Sequence, residues 1–178
     1  RQTNASWGSG SGAGQGKATY TKELGLEWGR SYTGSGGPYD YNTSRLYQGY
    51  YLSMNGLITS QIGFPDQMRS DLAGADIEYI EVYLFAEHWY SGAGGTAWIG
   101  VHTNDGMPGT FVNASQGNHQ VAFARGQGKW VRLPSSWHAS FKSGSYKGIT
   151  LGHGASTSSK YYGYFTKSRT RVRYRYTK

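Results

Sequence analysis

Along most of this chain apolar and polar residues alternate with the period of two that a half-buried β-strand imposes. In TRVRYRYT, residues 170–177, Val172, Tyr174 and Tyr176 fall on one face and Arg171, Arg173 and Arg175 on the other. Over 58–64, Ile58, Ser60, Ile62 and Phe64 share one face, and Thr59, Gln61 and Gly63 take a face expected to meet solvent. Gly, Ser, Asn and Asp punctuate the chain roughly every eight to fifteen residues, the spacing of a sandwich or barrel. The pattern predicts strands over 24–32, 46–52, 58–64, 77–89, 96–103, 119–124, 129–133, 148–151, 161–165 and 170–177. Helix is scarce. PDQMRSDL after Phe64, with Asp66 as cap before Met68 and Leu72, predicts one turn, and SSWHASFKSG after Pro134, closed by Gly144, predicts another. Both are expected to plug a sheet end. The expected fold class is therefore all-β, a jelly-roll-like β-sandwich of antiparallel strands with one or two short helical turns.

The longest apolar run, YIEVYLFAEHWY, precedes the Gly-rich stretch 91–95 and then TAWIGVHT, which reads as a central hairpin. Pairing Tyr90 with Thr96 sets His88 opposite Trp98 and Leu84 opposite His102, with Ala86 and Gly100 between them. The opening tract SWGSGSGAGQGK cannot bury a core, so residues 1–17 are expected to form a flexible Gly/Ser-rich arm before one domain over 18–178. Arg1 in place of an initiator Met suggests a piece cut from a longer chain.

Composition changes the picture in two ways. Sixteen Tyr and six Trp against only 37% hydrophobic residues mean that rings must supply much of the core and some of the surface. A net charge of +8 predicts attraction to anionic partners such as phosphate-bearing cell-wall polymers, nucleic acid or an acidic membrane face. No recognised nucleic-acid motif accompanies that charge, so nucleic acid is not expected as a partner. Nor does any run reach the length of a membrane-spanning helix, so no membrane insertion is expected. The chain has no Cys, which removes disulfides, thiolate metal sites and thiol nucleophiles. The N-x-S/T sequons at Asn4, Asn42 and Asn113 matter only on a eukaryotic secretory route, and chance explains them in a Ser- and Asn-rich chain.

Sugar-binding surfaces need rings that offer a face to the C–H side of a pyranose, flanked by hydrogen-bonding groups. Tyr39, Tyr41, Tyr47, Tyr50 and Tyr51 lie in such a polar stretch, SGGPYDYNTSRLYQGYY, and His88, Trp89, Tyr90 and Trp98 form a second candidate group. The plainer readings are tyrosines that cover a sandwich end and tryptophans packed in the core. Arg171, Arg173 and Arg175, with Lys167 and Arg169, form a candidate anion-binding stripe, because guanidinium pairs bidentately with anionic oxygens. The alternative is an edge strand that carries charge to prevent aggregation.

Enzyme signatures are weak. The five histidines lack the close spacing of a helical zinc motif, and only a His88 and His102 pair on one face stays open as a metal site. Glu81 and Glu87 stand six residues apart on one strand, roughly 20 Å at about 3.3 Å per residue, too far for a glycosidase pair. There is no G-x-S-x-G elbow, P-loop or Cys/His dyad. No catalysis and no cofactor are expected, with a structural calcium left open.

LYQGYY, ITSQIGFP, DLAGADIEYIEVYLFAEHWYSGAGGTAWIGVHT, KGITLGHG, YYGYF and the final RVRYRYT follow one another in an order that resembles the C-terminal jelly-roll modules of minor tail proteins from phages of actinobacteria. More loosely, it is similar to the disaggregatase-related carbohydrate-binding modules. The resemblance covers about residue 28 to the end. It implies a β-sandwich on a virion tail that acts outside the cell, touches a host cell-wall glycan or other anionic envelope polymer, and is displayed with other tail proteins as a homo-oligomer such as a trimer. It carries over no ligand residues. Two other readings stay open: a purely structural tail subunit packed against its neighbours, and an envelope glycan-degrading enzyme.

Overall fold

The computed structural model describes residues 16–178. All but Gly16 and Lys17 of the expected arm therefore lies outside the described residues, and Lys17 pairs with Asp76 at 3.0 Å. Eleven strands form: β1 (Thr19–Gly25), β2 (Trp28–Tyr32), β3 (Arg45–Tyr50), β4 (Leu57–Gly63), β5 (Asp76–Trp89), β6 (Gly95–His102), β7 (Ala114–Phe123), β8 (Gln127–Arg132), β9 (Gly148–Leu151), β10 (Gly163–Thr166) and β11 (Arg171–Thr177). Two short helices, α1 (Asp66–Leu72) and α2 (His138–Ser143), complete the expected all-β, sandwich-like fold. Every strand pair is antiparallel, in the order β1-β11-β5-β10-β3-β4-β9-β6-β7, with β2 beside β4 and β8 beside β5.

The sheet curls so that its two halves face each other across one core. One half is built on β5, which pairs with β11 along residues 76–83, with β10 along 86–89 and with β8 on 81–86. The other is built on β4, β9, β6 and β7. Strand β3 belongs to both: residues 45–48 pair with β10, and Gly49 and Tyr50 pair with β4. Leu46, Ile62, Ile80, Val82, Leu84, Ile99, Phe165 and Val172 fill the space between, all fully buried. Burying side chains of this size stabilises by about 1.5–3 kcal/mol each, and that area holds a cysteine-free chain closed.

The helices form where Pro65 and Pro134 stop the preceding strands. Pro65 occupies the cap position of α1, one residue earlier than the Asp66 cap suggested by the sequence, and Asp66 lies in the first turn. Met68 and Leu72 enter the core, as their spacing implies. Gly144, at φ 80, closes α2 in the left-handed conformation that suits a helix end.

Three expectations are corrected. Residues 24–32 are not one strand, because β1 pairs with β11 and β2 pairs with β4, with the break at Leu26 and Glu27. The 77–103 hairpin does not form. β5 and β6 lie in opposite halves of the sandwich, since the glycines after Tyr90 carry the chain across rather than back along itself. Finally, Thr59 and Gln61 do not face solvent: both are buried, and Gln61 is bonded to Asn104 and to the carbonyl of Val112 in the 103–113 loop laid over β4.

Candidate functional site

Across β3, β10 and β5 three rings stand side by side in register: Tyr47 opposite Tyr164, and Tyr164 opposite His88. Their centroids are 5.2 and 5.1 Å apart, the spacing at which neighbouring strands set directly opposed side chains. His88 reaches this row because of a β-bulge. The register of β5 against β10 jumps from His88 to Ala86, leaving Glu87 unpaired. Strict alternation would put Ala86 and His88 on one face and Trp89 on the other. The extra residue lets Ala86 and Trp89 both point into the core, with Glu87 and His88 half-exposed on the outer side.

Other rings extend the row. Tyr39, in the loop after β2, meets Tyr47 edge to face at 5.1 Å and stacks on Tyr41 at 6.2 Å. Tyr162, just before β10, stacks on Tyr51 at 4.8 Å, and Tyr51 leans towards Tyr90 at 6.2 Å. Together with Arg45, Leu52, Met54 and Asn55, these rings line a cleft of about 520 Å³, inside the roughly 300–1,000 Å³ range of small-ligand sites. Five of the eight large apolar side chains that the described residues expose (Tyr41, Tyr51, Leu52, Met54 and Tyr90, 46–84% accessible) gather on its rim. A concentration of that kind marks a contact surface, whereas scattered exposed residues mark nothing.

The site's electrostatics are set by burial and by Arg45. Burial pushes the Tyr39 and Tyr162 hydroxyls up, reinforced by the surrounding tyrosines, so both stay protonated donors. Burial, with Arg125 and Arg45 nearby, pushes the His88 imidazole below its ordinary value, so at neutral pH it is an uncharged ring. The Arg45 guanidinium lies over the Tyr164 ring at 4.2 Å and reaches Glu87 at 3.5 Å. The chemistry offered is a set of ring faces with phenol hydroxyls, one amide and one fixed positive charge; among the described residues no carboxylate lines the cleft.

Tyr39, Tyr41, Tyr47, Tyr51, His88 and Tyr90 are thus brought together from the two groups proposed from sequence. Tyr50, at the end of β3 opposite Leu57, stands outside the lining. Trp89 is fully buried and presents no platform; a Cβ on Gly95 or on Gly163 would come within 2.4 Å of its ring, so the indole occupies a slot that only glycines leave open. Trp98 faces Gln120 rather than His88, donates its indole N–H to the Gly117 carbonyl, and meets Tyr161 edge to face. Missed from sequence were Tyr162, Tyr164 and Arg45. The YYGYF run held two of them, but their face depended on a pairing that the chain's local pattern does not state.

The arginine stripe keeps its predicted alternation on β11, yet β11 is an interior strand between β1 and β5, which removes the edge-strand reading. Each arginine meets a carboxylate: Arg171 with Glu23 at 2.8 Å, Arg173 with Glu81 at 3.0 Å and Arg175 with Glu78 at 2.7 Å. Arg173 also lies over Trp130 at 4.0 Å. His88 and His102 are separated into the two halves of the sandwich; His102 is buried, bonded to the Ile62 carbonyl. Among the described residues no group of three or more His, Asp or Glu gathers to hold a metal ion. No known family model matches the chain, and no curated protein matches it significantly.

Proposed function

We propose that the chain is a non-catalytic binding module whose tyrosine cleft holds a saccharide, acting at the host envelope in the tail setting that its sequence resemblance implies. The observation that carries this reading is the convergence of seven tyrosines and His88 from four segments of chain into one partly open cleft. Tyrosine is well suited to sugar contact, because it presents a rigid apolar face to C–H groups and a hydroxyl at its edge, and it loses little conformational freedom on binding. Glycoside cleavage would need two carboxylates flanking the bond, and the cleft lining supplies none among the described residues. A lining of rings, hydroxyls and one guanidinium supports the binding reading over two-carboxylate cleavage.

The test is a glycan array of bacterial wall fragments followed by calorimetry on the best binder, with Tyr51→Ala and Tyr90→Ala as variants. Each loses an exposed ring whose removal leaves the buried core intact, so folding is expected to survive. Losing one stacking ring should weaken binding by about tenfold, the equivalent of about 1.4 kcal/mol. Retention of wild-type affinity in the double variant would refute the cleft as the site.

A further inference from the structure

The tyrosine cleft does not stop at Tyr39. Tyr39 and Arg45 also line a neighbouring hollow of about 160 Å³ whose charged groups are Arg30, Asp40 and Lys167. Arg45 stands at the junction and is loosely engaged. Arg30, Arg171, Arg173 and Arg175 hold their carboxylates at 2.7–3.0 Å, the separation of a strong charge-assisted bond. Arg45 reaches both Glu87 and the Tyr47 hydroxyl only at 3.5 Å. Its plane is nevertheless fixed by the Tyr164 ring beneath it. A guanidinium has five donor hydrogens in a rigid fork, so this one is oriented but largely unspent.

The balance of charge around the junction points the same way. Asp40 is taken up by Arg30, whose hydrogen bond holds the carboxyl below its usual range. The Lys167 ammonium makes a single hydrogen bond among the described residues, to the Thr43 carbonyl at 3.3 Å. Arg30, Arg45 and Lys167 against Asp40 and Glu87 leave one positive charge facing the opening. A cleft of tyrosines alone would also suit a quaternary ammonium group. Arg45 already occupies a ring face there and repels any such cation.

We infer that the Arg45 junction is an acid-group subsite: the saccharide seated on the tyrosines carries a carboxylate or phosphate, which Arg45 grips as a fork and Lys167 supports as a point charge. The inference rests on the saccharide reading of the cleft. It makes Arg45 the residue that selects acidic over neutral glycans, while the rings supply affinity common to both.

Titration of the folded chain with matched oligosaccharides tests this: neutral, C6-carboxylate and C6-phosphate forms in glucosyl and N-acetylglucosaminyl series. One acidic form should bind at least about tenfold tighter than its neutral parent, and whether it is carboxylate or phosphate identifies the group. Arg45→Gln should bring the acidic ligand to within about twofold of the neutral one, and Lys167→Gln should give a smaller loss. Raising salt from about 50 to 500 mM should weaken only the acidic arm. Equal binding of neutral and acidic forms, lost on Tyr51→Ala, would overturn this inference and leave the cleft reading standing. So would an acid preference that survives both charge substitutions. Absence of binding in every arm would overturn both.

Discussion

His102 shows how one side chain can be ordered by what surrounds it while standing outside the site. Its Nε2–H donates to the Ile62 carbonyl at 2.8 Å and its Nδ1 accepts the Asn104 amide at 3.1 Å, so the ring must be neutral. Trp28 covers it at 5.1 Å. Burial pushes its pKa down to about 4, against the opposing pull of the Ile62 bond. A histidine whose folded pKa lies below its unfolded one contributes stability that is complete above the unfolded value, about 6.5, and is lost as pH falls towards the folded value. Stability should therefore drop by about 3 kcal/mol between pH 7 and pH 4. Urea midpoints across that range measure the loss, and the ring proton shifts of His102 should titrate near 4. A flat stability curve would contradict the assignment. Sequence offered a histidine on a strand face and no means of knowing that Trp28 and the 103–113 loop would enclose it.

At the scale of elements, β3 decides the site because it serves both halves of the sandwich. Gln48, on β3 and fully buried, is the tie. Its amide donates to the carbonyls of Thr96 and Tyr161 at 2.8 and 2.6 Å, and its oxygen accepts the Trp98 amide at 3.1 Å. Gln48→Leu would leave these three backbone groups without that partner in the interior, which costs about 1–3 kcal/mol for each that stays unsatisfied. A total loss of about 2–4 kcal/mol in urea unfolding is expected, with weaker ligand binding because the Tyr161 and Tyr162 segment loses its anchor. An unchanged unfolding midpoint would show that β3 is held otherwise. The bulge at Glu87 is the other decisive element. Period two was legible in β5 from Ile80 to Ala86, and it failed at two unpaired residues: Glu78, skipped against β11, and Glu87, where the alternation reversed and turned His88 outward and Trp89 inward.

At the scale of the whole molecule, the cleft is shallow and partly open, so a single copy should bind weakly. Repeated display raises the effective concentration and multiplies apparent affinity by about 10²–10⁴ without new contacts. Fusion of the chain to a trimerising scaffold should therefore lengthen its retention on a surface coated with the glycan it binds by about a hundredfold or more over the monomer, measured as dissociation in flow. Equal dissociation of monomer and trimer would argue against multivalent attachment. The outer face of β11 and β5 contributes less than the charge of +8 implies, since its arginines are answered by Glu23, Glu78 and Glu81 within the sheet.

Alternation of side chains was enough to establish an all-β chain with ring-rich layers, the positions of nearly all its strands and the two short helices, because a strand's two faces are set by local backbone geometry alone. It also marked the Tyr39 to Tyr51 stretch as ring-rich, in which Tyr41 and Tyr51 are exposed and Tyr47 is buried. What paired with what was settled only on folding. Glycine-rich turns permit a chain to return or to cross, and the choice depends on burying both faces of β4 and the inner face of β5 at once. That choice dissolved the expected hairpin, moved Trp98 away from His88, and gathered Arg45, Tyr90, Tyr162 and Tyr164 into the cleft from positions up to 119 residues apart in sequence.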